Sequence, residues 1–161
     1  MSGDPRQQVA DLLNEMAALR AVDVPPPSDP AEVHRVLREV VRPALDRAEV
    51  ILAEVAGHRR RAQRDAKRAA AATADAYDTA LVKLSTRAMA REYESIRDRE
   101  VQARTASSPQ RKNQHAAEEA ADVIAQAEEA ARGMFFGLRD IRRELLATLE
   151  HYIPWESSLE R

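Results

Sequence analysis

From Ala120 to Leu145, small and apolar residues recur at alternating four- and three-residue steps: Ala120, Ile124, Ala127, Ala131, Met134, Leu138, Ile141 and Leu145. A mean spacing of about 3.5 residues keeps one stripe facing one partner, which predicts a helix paired along its length in coiled-coil fashion. A second stripe is broader and more hydrophobic. Val33, Val36, Leu37, Val40, Val41, Ala44, Leu45, Ala48, Ile51, Leu52 and Val55 fall on one helical face, headed by Asp29 as N-cap, Pro30 at the first helical position and Glu32 in the first turn. Pro43 removes a backbone donor inside that helix and predicts a kink. Gly57 either ends the helix or only weakens it.

Beyond His58 the helical pattern resumes to about Ala106, along Ala66, Ala70, Thr73, Tyr77, Leu81, Leu84 and Ala88. Its alanine end permits close backbone approach. Ser95-Ile96-Arg97-Asp98 has the form of a capping box and predicts a break there, and Ser107-Ser108-Pro109 predicts a turn with Ser108 capping the last helix. That helix is expected to run to about Tyr152, before Pro154. At the other end, Asp4-Pro5 starts a short amphipathic helix whose Val9, Leu12, Leu13, Met16 and Leu19 share a face. The prolines at 25–27 exclude helix and predict a semi-rigid linker, which would leave the first helix separately mobile unless it completes the core or a dimer interface.

No strand pattern occurs. The expected fold is all-α: an elongated antiparallel helical hairpin or bundle with coiled-coil character. The expected organisation is a short amphipathic helix at 1–20, a proline-rich linker at 21–30, the helical body at 31–152 and a tail at 153–161. Only 4% of the 161 residues are aromatic and 32% are charged, and much of the apolar fraction is alanine. Alanine buries little area, so long helix contacts or a second subunit must supply stability, and a homo-oligomer is expected.

The net charge of -2 gives no global attraction to nucleic acid or to an anionic membrane. Cysteine is absent, which removes disulfides, thiolate metal sites and cysteine nucleophiles. No stretch approaches the roughly 18 apolar residues of a membrane span, and a polar amino terminus points to a cytoplasmic location. There is no phosphate loop, dinucleotide fingerprint, nucleophile elbow or HExxH, so neither enzyme chemistry nor a cofactor is expected. Glu118 and Asp122 stand one helical turn apart without a Glu-x-x-His partner, which leaves no basis for a metal centre.

Three features offer binding surfaces instead. Arg59, Arg60, Arg61, Arg64, Lys67 and Arg68 place six cations in the eleven residues from His58 to Arg68. They are either a phosphate-binding patch for nucleic acid or a solvated face, charged round most of its circumference and paired with Glu118, Glu119, Asp122, Glu128 and Glu129. The valine-rich face Val33, Val36, Leu37, Val40, Val41, Ala44, Ala48, Ile51, Leu52 and Val55 is a candidate protein interface. Phe135, Phe136 and Trp155 are candidate anchors on a partner. Gly133 and Gly137 notch the last helix as Gly-x-x-x-Gly, and close packing on the alanine-rich helix is the expected use.

Ala76-Tyr77-Asp78-Thr79-Ala80, then Ser95 through Ala103, then Ala117 through Ala131 form a pattern that resembles small all-helical accessory proteins of actinobacterial phages, of unassigned function. The resemblance spans residues 76–149, with Glu94 where that group has glycine before the serine. It implies an early-gene product in the host cytoplasm, associated with DNA recombination or replication. A virion structural or assembly coiled coil, and an inhibitor of a host protein, are the alternatives.

Overall fold

The computed structural model describes residues 4–20, 29–89 and 95–152, and among these every element is helical. The chain runs α1 (Pro5–Arg20), α2 (Pro30–Val36), a π-turn (Leu37–Val41), α3 (Arg42–Met89), α4 (Ile96–Ala106) and α5 (Ser108–Tyr152). The architecture is an all-α helical bundle. The expected linker at 21–30 is shortened at its end, because Asp29 already caps α2 and Pro30 is already helical. The rest of that linker and the tail at 153–161 lie outside the described residues.

Local chemistry explains the helix starts. The Asp4 carboxylate accepts the Arg6 N–H at 3.0 Å and the Asp29 carboxylate accepts the Glu32 N–H at 2.8 Å. Ser95 Oγ accepts the Asp98 N–H at 3.2 Å and donates to Asp98 Oδ2 at 2.6 Å, so a helix does begin at the expected capping box. Ser108 is a correction, because it is helical and the junction is the single residue Ser107. The Ser107 N–H donates to Ala103 at 3.0 Å, its hydroxyl to Arg104 at 3.2 Å, and its carbonyl accepts the Arg111 N–H at 3.1 Å. With its polar groups satisfied, Ser107 can be fully buried.

Pro43 leaves its mark one turn upstream. Lacking an N–H, it cannot bond the carbonyl four residues back, and its ring crowds that carbonyl. The chain widens into a π-turn in which the Arg42 N–H reaches the Leu37 carbonyl. Val36 and Val41, five residues apart, are consequently both buried, whereas an uninterrupted α-helix would set them about 140° apart. Gly57 does not end the helix. Alpha-helical bonding carries α3 through it to Met89.

The molecule divides into two compact units, the first from Met1–Gly57 with Gln126–Arg161 and the second from His58–Ala125. Unit 1 buries Val9 and Met16 of α1, Val33 and Val36 of α2, and Ala44, Ala48, Ile51 and Val55 of α3. From α5 it buries Ala127, Ala131, Leu138 and Leu145. Each fully buried aliphatic side chain of valine size or larger contributes about 1.5–3 kcal/mol. Helix α1 is part of this core rather than a separate element. A two-pronged ion pair anchors it, Arg47 Nε to Glu15 Oε1 at 2.6 Å and Arg47 Nη2 to Glu15 Oε2 at 2.7 Å. These hydrogen bonds, helped by charge attraction and opposed by partial desolvation, hold the Glu15 carboxyl below the usual carboxylate range and push Arg47 up.

Unit 2 is built differently. Ala103, Ser107 and Ile124 are its fully buried residues among those described. The α3 stripe from Ala66 through Leu84 is half-buried throughout. Val82, Ile96, Val101 and Val123 stay exposed.

Candidate functional site

The basic stretch lies on α3 within unit 2. Arg60, Arg61, Arg64, Lys67 and Arg68 are exposed and Arg59 is half-buried. At 100° per residue, Arg60, Arg64 and Lys67 form one stripe with Arg61 and Arg68 beside it. The five together occupy about a third of the helix circumference. The expectation of charge round most of the helix is therefore corrected: the cations share one face. Asp65 stands at its edge, 3.9 Å from Arg68, with both side chains largely exposed, a contact that neutralises little.

The acidic residues of α5 meet this face only in part. Glu118 and Asp122 line a cavity of about 470 Å³ with Lys67, Gln63 and Ala66. Glu118 also accepts the Gln114 amide at 2.8 Å, and Glu119 lies 3.6 Å from His115 on its own helix. Glu128, in unit 1, is buried and bonded to Arg132 one turn on. Much of the acidic charge is thus engaged along α5 itself.

The valine-rich face is not left for a partner. Val33, Val36, Val41 and Leu145 form one cluster, with Leu37, Val40, Leu45, Ile141 and Leu149 packed against it, so α5 closes the first half of the face. Ala44, Ala48, Ile51 and Val55 are buried in the single chain and Leu52 is half-buried. The expected interface is an internal core, because the aliphatic face and the α5 seam satisfy each other. The glycine notch also differs from expectation. Gly133 faces open space, and a side chain at Gly137 would meet the Arg20 guanidinium of α1 at 3.2 Å rather than the alanine-rich helix. Phe136 remains 55% exposed. Its ring is tilted 58° against half-buried Phe135 with centroids 6.2 Å apart. Trp155 lies outside the described residues.

Unit 1 carries a feature that the linear sequence does not announce. An open groove of about 670 Å³ runs between the π-turn and start of α3 on one side and α5 on the other. Its floor includes Leu37, Leu45, Phe135 and Leu146, and its rims carry Arg38 and Arg42 facing Arg139 and Arg142. Asp46 and Glu49 line one end and His34 the other. The four arginines come from segments about a hundred residues apart. The only linear signal is the helical spacing of Arg38 with Arg42 and of Arg139 with Arg142.

Among the described residues no cluster of three or more His, Cys, Asp or Glu side chains could hold a metal ion, and no helix is long and apolar enough to cross a membrane. Compared with family models, curated proteins and solved structures, the chain matches none.

Proposed function

We propose that this protein is a non-enzymatic binding protein that engages nucleic acid through its phosphate backbone, as an accessory factor in phage DNA transactions such as recombination or replication. One observation carries the reading: five exposed cations share a third of the α3 circumference with Asp65 as the adjoining acid. Such a face favours polyanions by charge and counterion release, independent of base sequence. No aromatic side chain interrupts the stretch, which favours backbone contact over base stacking. The rival reading, a self-assembling virion protein, draws on the Val33–Val55 face, and the chain itself buries most of that face.

Fluorescence anisotropy with a labelled duplex at increasing salt tests the proposal. Five phosphate contacts give a log–log salt slope of at most about -4.5. Replacing Arg60, Arg61 and Arg64 with alanine should weaken binding and flatten the slope by about one for each phosphate left without its arginine. An isotherm unchanged by the triple substitution would reject the reading.

A further inference from the structure

The groove of unit 1 has a composition that phosphate binding does not explain. Leu37 and Leu45 form part of its floor while packing against the Val33–Val36–Val41–Leu145 cluster, so that part of the floor is held firm from beneath. Leu146 is 40% exposed at the opposite wall. Above this apolar strip stand four guanidinium groups. Arg38 reaches the exposed Glu39 at 3.1 Å, and neighbouring Arg143 is taken by Asp140 at 3.0 Å. Among the described residues, Arg42, Arg139 and Arg142 make no ion pair.

We propose that this groove docks an acidic amphipathic helix of a partner protein. The apolar floor takes the leucine-type side chains of such a helix, and the rim arginines take its flanking carboxylates in forked hydrogen bonds that suit the planar guanidinium. The lining also sets polarity. On the wall formed by α2, the π-turn and α3, the order is His34, Arg38, Arg42, then Asp46 and Glu49, so the charge changes sign along the groove. A partner with acidic residues over the arginines and a basic residue over Asp46 and Glu49 fits, and the distance from Arg38 to Glu49 accommodates about three helical turns. Duplex DNA fits poorly, because it has no apolar face for the floor and its phosphates would meet Asp46 and Glu49.

The test is a binding titration of the full chain with a fluorescein-labelled 14-residue peptide. The peptide carries leucines at helical i, i+3, i+4 and i+7 spacing, flanking glutamates and one terminal lysine. Saturable binding is expected, weakened about tenfold by the double substitution Arg38→Glu and Arg139→Glu. Both residues are exposed, and an unchanged circular-dichroism melt shows that the fold is kept. A peptide with its glutamates changed to lysine should bind at least as weakly. Equal binding by the double variant, or none by the parent, would overturn the proposal. So would displacement of the peptide by unlabelled duplex, which would make the groove a phosphate site. Binding only after residues 153–161 are removed would assign the groove to the chain's own tail. Sedimentation showing a dimer that the double substitution dissolves would assign it to a second copy.

Discussion

Unit 1 and unit 2 are built from the same two long helices, yet they bury different matter. In unit 1, α3 contributes Ile51 and Val55 to a core that also holds Met16, Val33 and Leu138. In unit 2 the same helix contributes alanine, threonine and half-buried leucine, and the fully buried residues among those described are Ala103, Ser107 and Ile124. Burial of apolar area is the main favourable contribution to folding, and a methyl group supplies little of it. One continuous helix can therefore be firmly held at one end and thinly held at the other. The basic face sits in the thin unit, whereas the arginine-rimmed groove rests on the firm one.

The most forceful challenge to this contrast is to cut equally into both units. Ile51→Ala should cost about 3 kcal/mol in urea unfolding, and Leu81→Ala, from a half-buried site, about 1 kcal/mol. Amide exchange should show the stretch from Arg42 to Gly57 protected well beyond that from Ala70 to Leu84. Equal costs and equal protection would mean that the units differ in appearance only. A smaller effect refines the picture within unit 1. Gly133→Ala enters open space within a helix and should add about 0.5–1 kcal/mol to stability. Gly137→Ala must first displace the Arg20 guanidinium, so a smaller gain is expected. Thermal melts of the two variants check this order.

The smallest expected effect is on pH dependence. Because the Arg47 hydrogen bonds lower the folded-state pKa of Glu15, its contribution is complete above the usual carboxylate range. It is lost as pH falls through that lowered value. The stability gap between the parent and Glu15→Gln should close between neutral pH and about pH 3. A gap that persists in acid would remove the ion pair from the account of how α1 is held.

How much of this can be read from the chain depends on distance along it. Caps at Asp4, Asp29 and Ser95 are legible because each involves a side chain and an amide no more than three residues away. The α5 seam is legible because periodicity survives in sequence, and Ile124, Ala131, Leu138 and Leu145 are all buried. What covers each face is not. The valine face looks vacant in sequence because its partners, Ile141, Leu145 and Leu149, lie about a hundred residues on. The glycine notch suggests a helix neighbour, yet at Gly137 it receives an arginine from α1. The groove arginines show in sequence only as two pairs at helical spacing, since opposition across a groove is a property of packing.

The π-turn at Leu37–Val41 bears on how this protein can change length. Elsewhere in α3, removing one residue would rotate all that follows by about 100° and carry Ala44, Ala48 or Ile51 off the core. At the π-turn, deleting the exposed Glu39 would convert the five-residue step from Val36 to Val41 into a four-residue one and keep the two in phase. The cost would be renewed crowding of the Pro43 ring against the preceding turn. The helix can thus gain or drop a single codon here while its downstream core stays in register.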